Sequence, residues 1–128
     1  MTPLNILFID DEPIRAWPLA QKGHHVRVAH GFEQVHFYLQ QCPGYRPDVI
    51  CLDHDMPMMN GYHVAQSFLI ARSIPVMIHS TNEAGAKDIE RLLQEYAVPC
   101  ERAPIHEASP ENWIKWLEHF VAESNTGP

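Results

Sequence analysis

The stretch Val49-Ile50-Cys51-Leu52-Asp53-His54-Asp55-Met56-Pro57-Met58-Met59-Asn60-Gly61 joins an apolar run to two carboxylates with a histidine between them. A proline and a glycine then turn the chain back. Apolar residues ending in an acid have the form of a strand buried on both faces, with function at its C-terminal tip. Leu4 to Ile9 repeats the form: apolar apart from Asn5, it ends in Asp10-Asp11-Glu12. Neighbouring strands of a parallel sheet would bring both acidic tips to one edge. Carboxylates gathered there repel one another unless a cation sits among them. The pattern predicts a divalent-metal site that handles a phosphate.

The rest of the chain reads outward from these two strands. After the first acidic tip, Pro13-Ile14-Arg15-Ala16-Trp17-Pro18 is awkward as a helix, since Pro18 would break it about a turn after Pro13. A short or irregular first crossover is expected, ended by Gly23, with His24–Ala29 as strand two. Gly31 opens a helix with Phe32, Val35 and Leu39 on its apolar face and His36 beside them. Pro43-Gly44 and Pro47 bound a loop before strand three, Val49–Leu52. Gly61–Arg72 reads as a helix with Val64, Phe68 and Ala71 inward. Ile74–Ile78, opened by Pro75, is strand four and ends in His79-Ser80-Thr81-Asn82, a third polar tip. A helix from Glu83 or Ala84 to Ala97 buries Ile89, Leu92, Leu93 and Tyr96. Val98–Arg102 is a short strand five, interrupted by Pro99. Ser109-Pro110 starts a last helix with Trp113, Trp116, Leu117, Phe120 and Val121 as its inner stripe. Residues from Ser124 to Pro128 are expected to fray. Strands alternating with helices predict an α/β fold on a parallel sheet, whose ligands bind at the C-terminal strand edge.

A chain of 128 residues is expected to form one domain, with its core at about residues 4–124, and can bury that core without staples. The formal charge of −7 excludes a sequence-independent grip on a nucleic-acid polymer, which needs clustered Lys and Arg. It does not exclude a small phosphorylated ligand, because a metal and one or two cations reverse the charge locally. The odd, widely spaced Cys42, Cys51 and Cys100 point to a reducing compartment and to no zinc cage. Neither a signal peptide nor a run of transmembrane length is visible, so the reading is cytoplasmic, with no membrane partner.

The polar tips carry the candidate chemistry. Mg²⁺, or Mn²⁺ in its place, needs oxygen ligands and keeps several waters, so one or two carboxylates suffice. Asp11 and Asp53 would supply them, with Asp10 acting through a water and Asp55 completing the acidic set. His54 and His79, on neighbouring tips, would move protons near neutral pH. Ser80, Thr81 and Asn82 would bind phosphate oxygens, helped by amides at the start of the helix near Glu83. Arg15 would clamp a phosphate, against the plainer reading of a solvated surface charge. Ser80 and Asn82 equally suit turns and caps. For Trp17 core packing is the default, with the lining of a ligand pocket as the alternative. The other seven histidines, His24, His25, His30, His36, His63, His106 and His119, read as surface or helix-face residues.

Asp10-Asp11 after strand one, Asp53-x-x-Met56-Pro57 after strand three, Gly61 eight residues past Asp53 and Ser80 at the tip of strand four resemble the receiver domain of response regulators. The resemblance implies a flavodoxin-like (βα)5 fold with strand order 2-1-3-4-5. It also implies Mg²⁺ held by Asp11, Asp53 and the main-chain carbonyl of residue 55, and Asp53 as phosphoacceptor. One departure stands out: where receivers carry a Lys before the Pro that follows strand five, this chain has Ala103 before Pro104. Arg102 lies nearby, but alternation points it to the other face. Leu52-Asp53-His54-Asp55, Gly61-Tyr62 and Ile78-His79-Ser80-Thr81-Asn82 followed by Gly85 resemble a narrower group, the cyclic-phosphate processing receiver domains. That group shares the degraded first crossover.

These readings define three functions. The first is a metal-dependent, phosphodiesterase-type hydrolase acting on a small cyclic phosphate or cyclic nucleotide, with Asp53, His54 and His79 as the reacting groups. The second is a single-domain receiver phosphorylated on Asp53 by a histidine kinase in a phosphorelay. The third is a module that captures a phosphorylated ligand without chemistry.

Overall fold

A computed structural model describes residues 2–56, 59–103 and 109–125. Five strands form one parallel sheet: β1 (Asn5–Ile9), β2 (His25–Ala29), β3 (Val49–Leu52), β4 (Val76–Ile78) and β5 (Cys100–Arg102). Their spatial order is 2-1-3-4-5 and every pairing is parallel. This is the flavodoxin-like order that the motifs imply.

The period-two alternation of a strand divides its residues between the two faces of the sheet. Leu7, Ile9, Ile50, Leu52, Val76 and Ile78 face one core. They meet Val35 and Leu39 after β2, Val64 and Phe68 after β3, and Ile89 and Leu93 after β4. Ile6, Phe8, Val49, Cys51 and Met77 face the opposite core, against Ala16 and Leu19 from the first crossover and Trp113, Leu117, Phe120 and Val121 from the last helix. All four residues of β3 are therefore buried, which explains its unbroken apolar run.

The helices are α1 (Trp17–Gln21), α2 (Phe32–His36), α3 (Gly61–Val64), α4 (Glu83–Glu95) and α5 (Pro110–Ser124). A wider π-type turn extends α2 through Gln41 and another extends α3 through Leu69. The first crossover is irregular as expected: a 3₁₀ turn, Pro13–Ala16, runs into the five-residue α1. Pro18 does not break it. The helix begins at Trp17, so Pro18 sits in the first turn, where a missing N–H costs nothing.

Several burial expectations are corrected. Trp17 is 58% exposed rather than packed in the core. Phe32 is exposed and lies against Phe68 at a centroid distance of 4.7 Å. Helical turns end near Ile70, so Ala71 falls beyond them and is exposed. Tyr96 lies past the end of α4 and is exposed. On α5, Ile114 is buried and Trp116 stands at the rim, its indole N–H donating to Glu101 at 2.9 Å. His24 is buried, not a surface residue: its Nδ1 accepts from the Leu4 amide and its Nε2 meets Glu118 at 2.8 Å. The turn residues Pro57 and Met58, Pro104 after β5, and His106 lie outside the described residues.

Gly61 is required by contact. A Cβ there would lie 2.3 Å from the Asp53 carbonyl oxygen and 3.0 Å from the His54 Cα, both backbone atoms that cannot give way. Gly31, also at a helix start, has nothing within 4 Å of such a Cβ. Gly61→Ala should lose roughly 2–3 kcal/mol, read as a lower urea midpoint at unchanged m-value. Gly31→Ala, which meets no atom, should lose much less, no more than the roughly 0.5–1 kcal/mol of an N-cap change.

Candidate functional site

The sheet's hydrogen-bond ladder continues one residue beyond β1, β3, β4 and β5. The Asp10 amide donates to the Ala29 carbonyl, Asp53 to Ile9, His79 to Leu52 and Ala103 to Ile78, at 2.8–3.1 Å. Asp10, Asp53, His79 and Ala103 thus form a row across the sheet edge, one step past the last strand residue. Continued alternation places this row on the α1/α5 side, and His79 stacks on Phe8 of that side with ring centroids 4.8 Å apart. The next residues, His54 and Ser80, fall toward the other side. One strand step separates acid from cap chemistry.

Three carboxylates meet at the row. Asp10, Asp11 and Asp53 each offer an oxygen, and these oxygens lie within 4.8 Å of one another. The Asp10 carboxylate accepts from the Glu12 amide at 2.8 Å and contacts His79 Nε2 at 3.0 Å. Arg15 enters from the 3₁₀ turn. Its Nη1 lies 3.3 Å from Asp10 Oδ2 and 3.7 Å from Asp53 Oδ2, and its Nη2 lies 3.2 Å from Glu12.

Burial and neighbours push the acids apart. Burial raises the Asp10 carboxyl, but the bonds from His79 and the Glu12 amide, with the charges of His79 and Arg15, outweigh it and hold Asp10 below the ordinary range. Burial raises Asp53; the charges of His79 and Arg15 pull against it, Asp10 adds to it, and the net direction is upward. Asp11 is raised by desolvation and by its bond to Asp10. Asp10 is thus the anion the fold solvates, and Asp53 is the one it leaves under-compensated. Hard oxygen donors from two strand tips with negative charge in excess fit Mg²⁺ or Mn²⁺. Here Asp10, Asp11 and Asp53 would be the holders.

The remaining predicted residues gather on the α4 side. The Asp55 carboxylate meets His54 Nδ1 at 2.7 Å and accepts from Asn82 Nδ2 at 3.1 Å. Its carboxyl is held below the usual range by His54 first and then Asn82, against a small burial effect. Asp55 is thus placed with His54 and Asn82, outside the trio of converging acids. Asn82 caps α4, its Oδ1 accepting from the Gly85 amide at 2.9 Å, and Ser80 Oγ accepts from the Asn82 amide at 3.0 Å. Thr81 is exposed beside them. The His54 ring packs on the first turn of α4, where a Cβ on Gly85 would lie 2.5 Å from the His54 Cγ.

The two histidines therefore separate. His79 joins the acids but is wholly buried, whereas the His54 side chain is 17% exposed. Arg102 pairs with Glu90 at 3.3 Å, away from the acids, as alternation requires. Sequence reasoning missed Phe8 as a site residue, because a strand Phe carries no signal beyond core packing. It also undervalued Arg15, whose position depends on an irregular turn.

The family described as cyclic-phosphate processing receiver domain matches residues 5–95. Among curated relatives, a protein-glutamate methylesterase/protein-glutamine glutaminase of Geobacillus kaustophilus (strain HTA426) is 31% identical over 106 residues, covering 77% of this chain and 29% of its own. A second, from Caulobacter vibrioides, is 41% identical over 59 residues, covering 45% of this chain and 17% of its own. The chain thus spans less than a third of these relatives. Of solved structures, the Vibrio cholerae chemotaxis protein CheY4 aligns with a TM-score of 0.73 at 21% identity, covering 93% of this chain and 99% of that one. The phosphorylated cyanobacterial phytochrome response regulator RcpA aligns with a TM-score of 0.69 at 22% identity, covering 94% and 95%. Both show the same fold.

Asp53 has a raised folded-state pKa, so the folded protein holds its proton more tightly than the unfolded chain does. Its ionisation removes stability as pH rises through that raised value. In metal-free buffer at pH 7, Asp53→Asn should raise Tm by roughly 2–5 °C. Thermal melts over a pH series should show the difference from wild type closing as pH falls below the raised pKa.

Proposed function

The chain belongs to the family of cyclic-phosphate processing receiver domains, and from that premise we propose that its acidic edge binds a divalent cation and hydrolyses a small cyclic phosphate, with a cyclic nucleotide as the first candidate. The observation that carries this reading is the convergence of Asp10, Asp11 and Asp53 beside a separate imidazole–carboxylate pair, His54 and Asp55.

Asp10, Asp11 and Asp53 would hold a divalent ion, which would supply Lewis-acid polarisation of a phosphoryl oxygen. The protein's own groups do the rest. Asp55 on Nδ1 of His54 fixes the tautomer whose Nε2 accepts a proton. His54 takes the proton of the attacking water as its oxygen bonds to phosphorus. The phosphorus–oxygen bond of the ring breaks, the departing oxygen receives the proton that His54 took from the water, and a ring-opened monoester results with His54 neutral again. Ser80, Thr81 and Asn82, at the start of α4, orient phosphate oxygens, and Arg15 pairs with one of them. His79 is buried and reaches no ligand; it is a positioning residue that keeps Asp10 ionised and aimed.

A second reading has its own support. Asp53 occupies the receiver phosphoacceptor position, and Arg15 Nη1, 3.7 Å from Asp53 Oδ2, supplies a cation where Ala103 supplies none. In that case the partner is a histidine kinase or a small phosphodonor.

Incubation with 2′,3′- and 3′,5′-cyclic nucleotides and Mg²⁺ or Mn²⁺, followed by chromatography, should yield monoester. Chelation and Asp53→Ala should each abolish it, and His54→Gln should slow it about 10²-fold or more. Absence of turnover across the panel, with a beryllofluoride adduct forming at Asp53, would replace hydrolysis by the phosphorelay reading.

A further inference from the structure

We propose that Arg15 is a displaceable internal cation, which neutralises the acidic edge in the metal-free protein and is drawn off by a phosphate-bearing ligand, so that anion and metal bind with positive coupling. The inference rests on the metal-site reading and concerns how that site is regulated.

Four carboxylates crowd the edge, those of Asp10, Asp11, Glu12 and Asp53; His79 Nε2 lies beside Asp10 from within the buried row, and the permanently charged group that reaches Asp10, Glu12 and Asp53 together is the Arg15 guanidinium. Its Nη1 lies against Oδ2 of both Asp10 and Asp53, two of the three acids that would hold a metal. A guanidinium and a divalent ion drawn to the same two carboxylates repel each other. While Arg15 stays, metal affinity is held down; once it leaves, the acids are uncompensated and metal affinity rises.

The turn that carries Arg15 is built to release it. On Pro13–Ala16 the one buried residue is Ala16, and the Arg15 side chain is itself partly open to solvent, so the guanidinium has a path outward. Glu12 holds the other guanidinium nitrogen and is itself exposed, so Arg15 keeps a partner as it moves. Guanidinium binds a phosphate bidentately, a stronger arrangement than its present contacts at 3.3–3.7 Å. An anion that recruits Arg15 therefore favours metal, and by linkage metal favours the anion by the same factor.

Isothermal titration calorimetry with Mg²⁺ in chloride buffer, with and without inorganic phosphate, tests this on the intact chain. Arg15→Gln should bind Mg²⁺ about 5- to 10-fold more tightly than wild type without phosphate. Phosphate should tighten Mg²⁺ binding at least ~5-fold in wild type and clearly less in Arg15→Gln. Arg15→Lys, which keeps the charge, should bind Mg²⁺ as weakly as wild type. Equal Mg²⁺ affinity in all three proteins, or weaker binding by Arg15→Gln while its thermal melt stays cooperative, overturns the latch and leaves the metal site standing. No Mg²⁺ binding by any of them removes the metal site and the latch together.

Discussion

The structure turns on one electrostatic constraint: a parallel sheet delivers carboxylates from two of its strands to one edge, where Asp10 and Asp53 are buried. Asp10 is wholly buried, and an ionised carboxylate in such a place is tolerated only when its oxygens are bonded. The Glu12 amide, His79 and Arg15 meet that need, and each comes from a different element. The first crossover, made irregular by its prolines, serves the same demand. A regular helix beginning at Pro13 would not need to bring a guanidinium over the tips of β1 and β3, whereas the 3₁₀ turn does.

A second consequence is the division of the edge by alternation. The row Asp10–Asp53–His79–Ala103 is tied by ladder hydrogen bonds and shares the side of Phe8 and α5. One residue further along β3 and β4, His54 and Ser80 pass to the side of α4, where Asn82 and Gly85 complete the cap. Charge and burial dominate the first side, where a cation would be held. Hydrogen-bond donors and a partly exposed imidazole dominate the second, where a ligand's oxygens would lie.

Within the receiver fold this chain keeps the acids and the Ser at the tip of β4 but has a small buried residue, Ala103, as the fourth member of the row. The guanidinium that meets these acids comes from the first crossover. A Lys at position 103 would approach along the sheet edge; Arg15 approaches over the strand tips and contacts Asp10 before Asp53. The family model that matches this chain is described as a cyclic-phosphate processing receiver domain, and the edge it covers carries carboxylates, a buried imidazole and a guanidinium.

The α/β alternation, the two acidic tips, the capped starts of α4 and α5 and the weakness of the first crossover are legible in the residues alone. These are written in local signals: apolar runs closed by acids, Asn and Ser caps, and closely spaced prolines. The sequence could not determine the neighbours of a side chain across the sheet. His54 and His79 look equivalent as polar residues at strand ends, yet register puts one in the buried row with Asp10 and the other against Gly85. Tyr96 and Trp116 carry the helical spacing of core residues but fall past a helix end or at a rim. His24 reads as a surface residue until α5 lays Glu118 against it. Arg15 is an ordinary charge on the strand-to-helix turn until the tertiary structure closes Asp53 over the same guanidinium. Periodicity records which face a residue takes along its own element, and only the packed sheet decides what stands opposite.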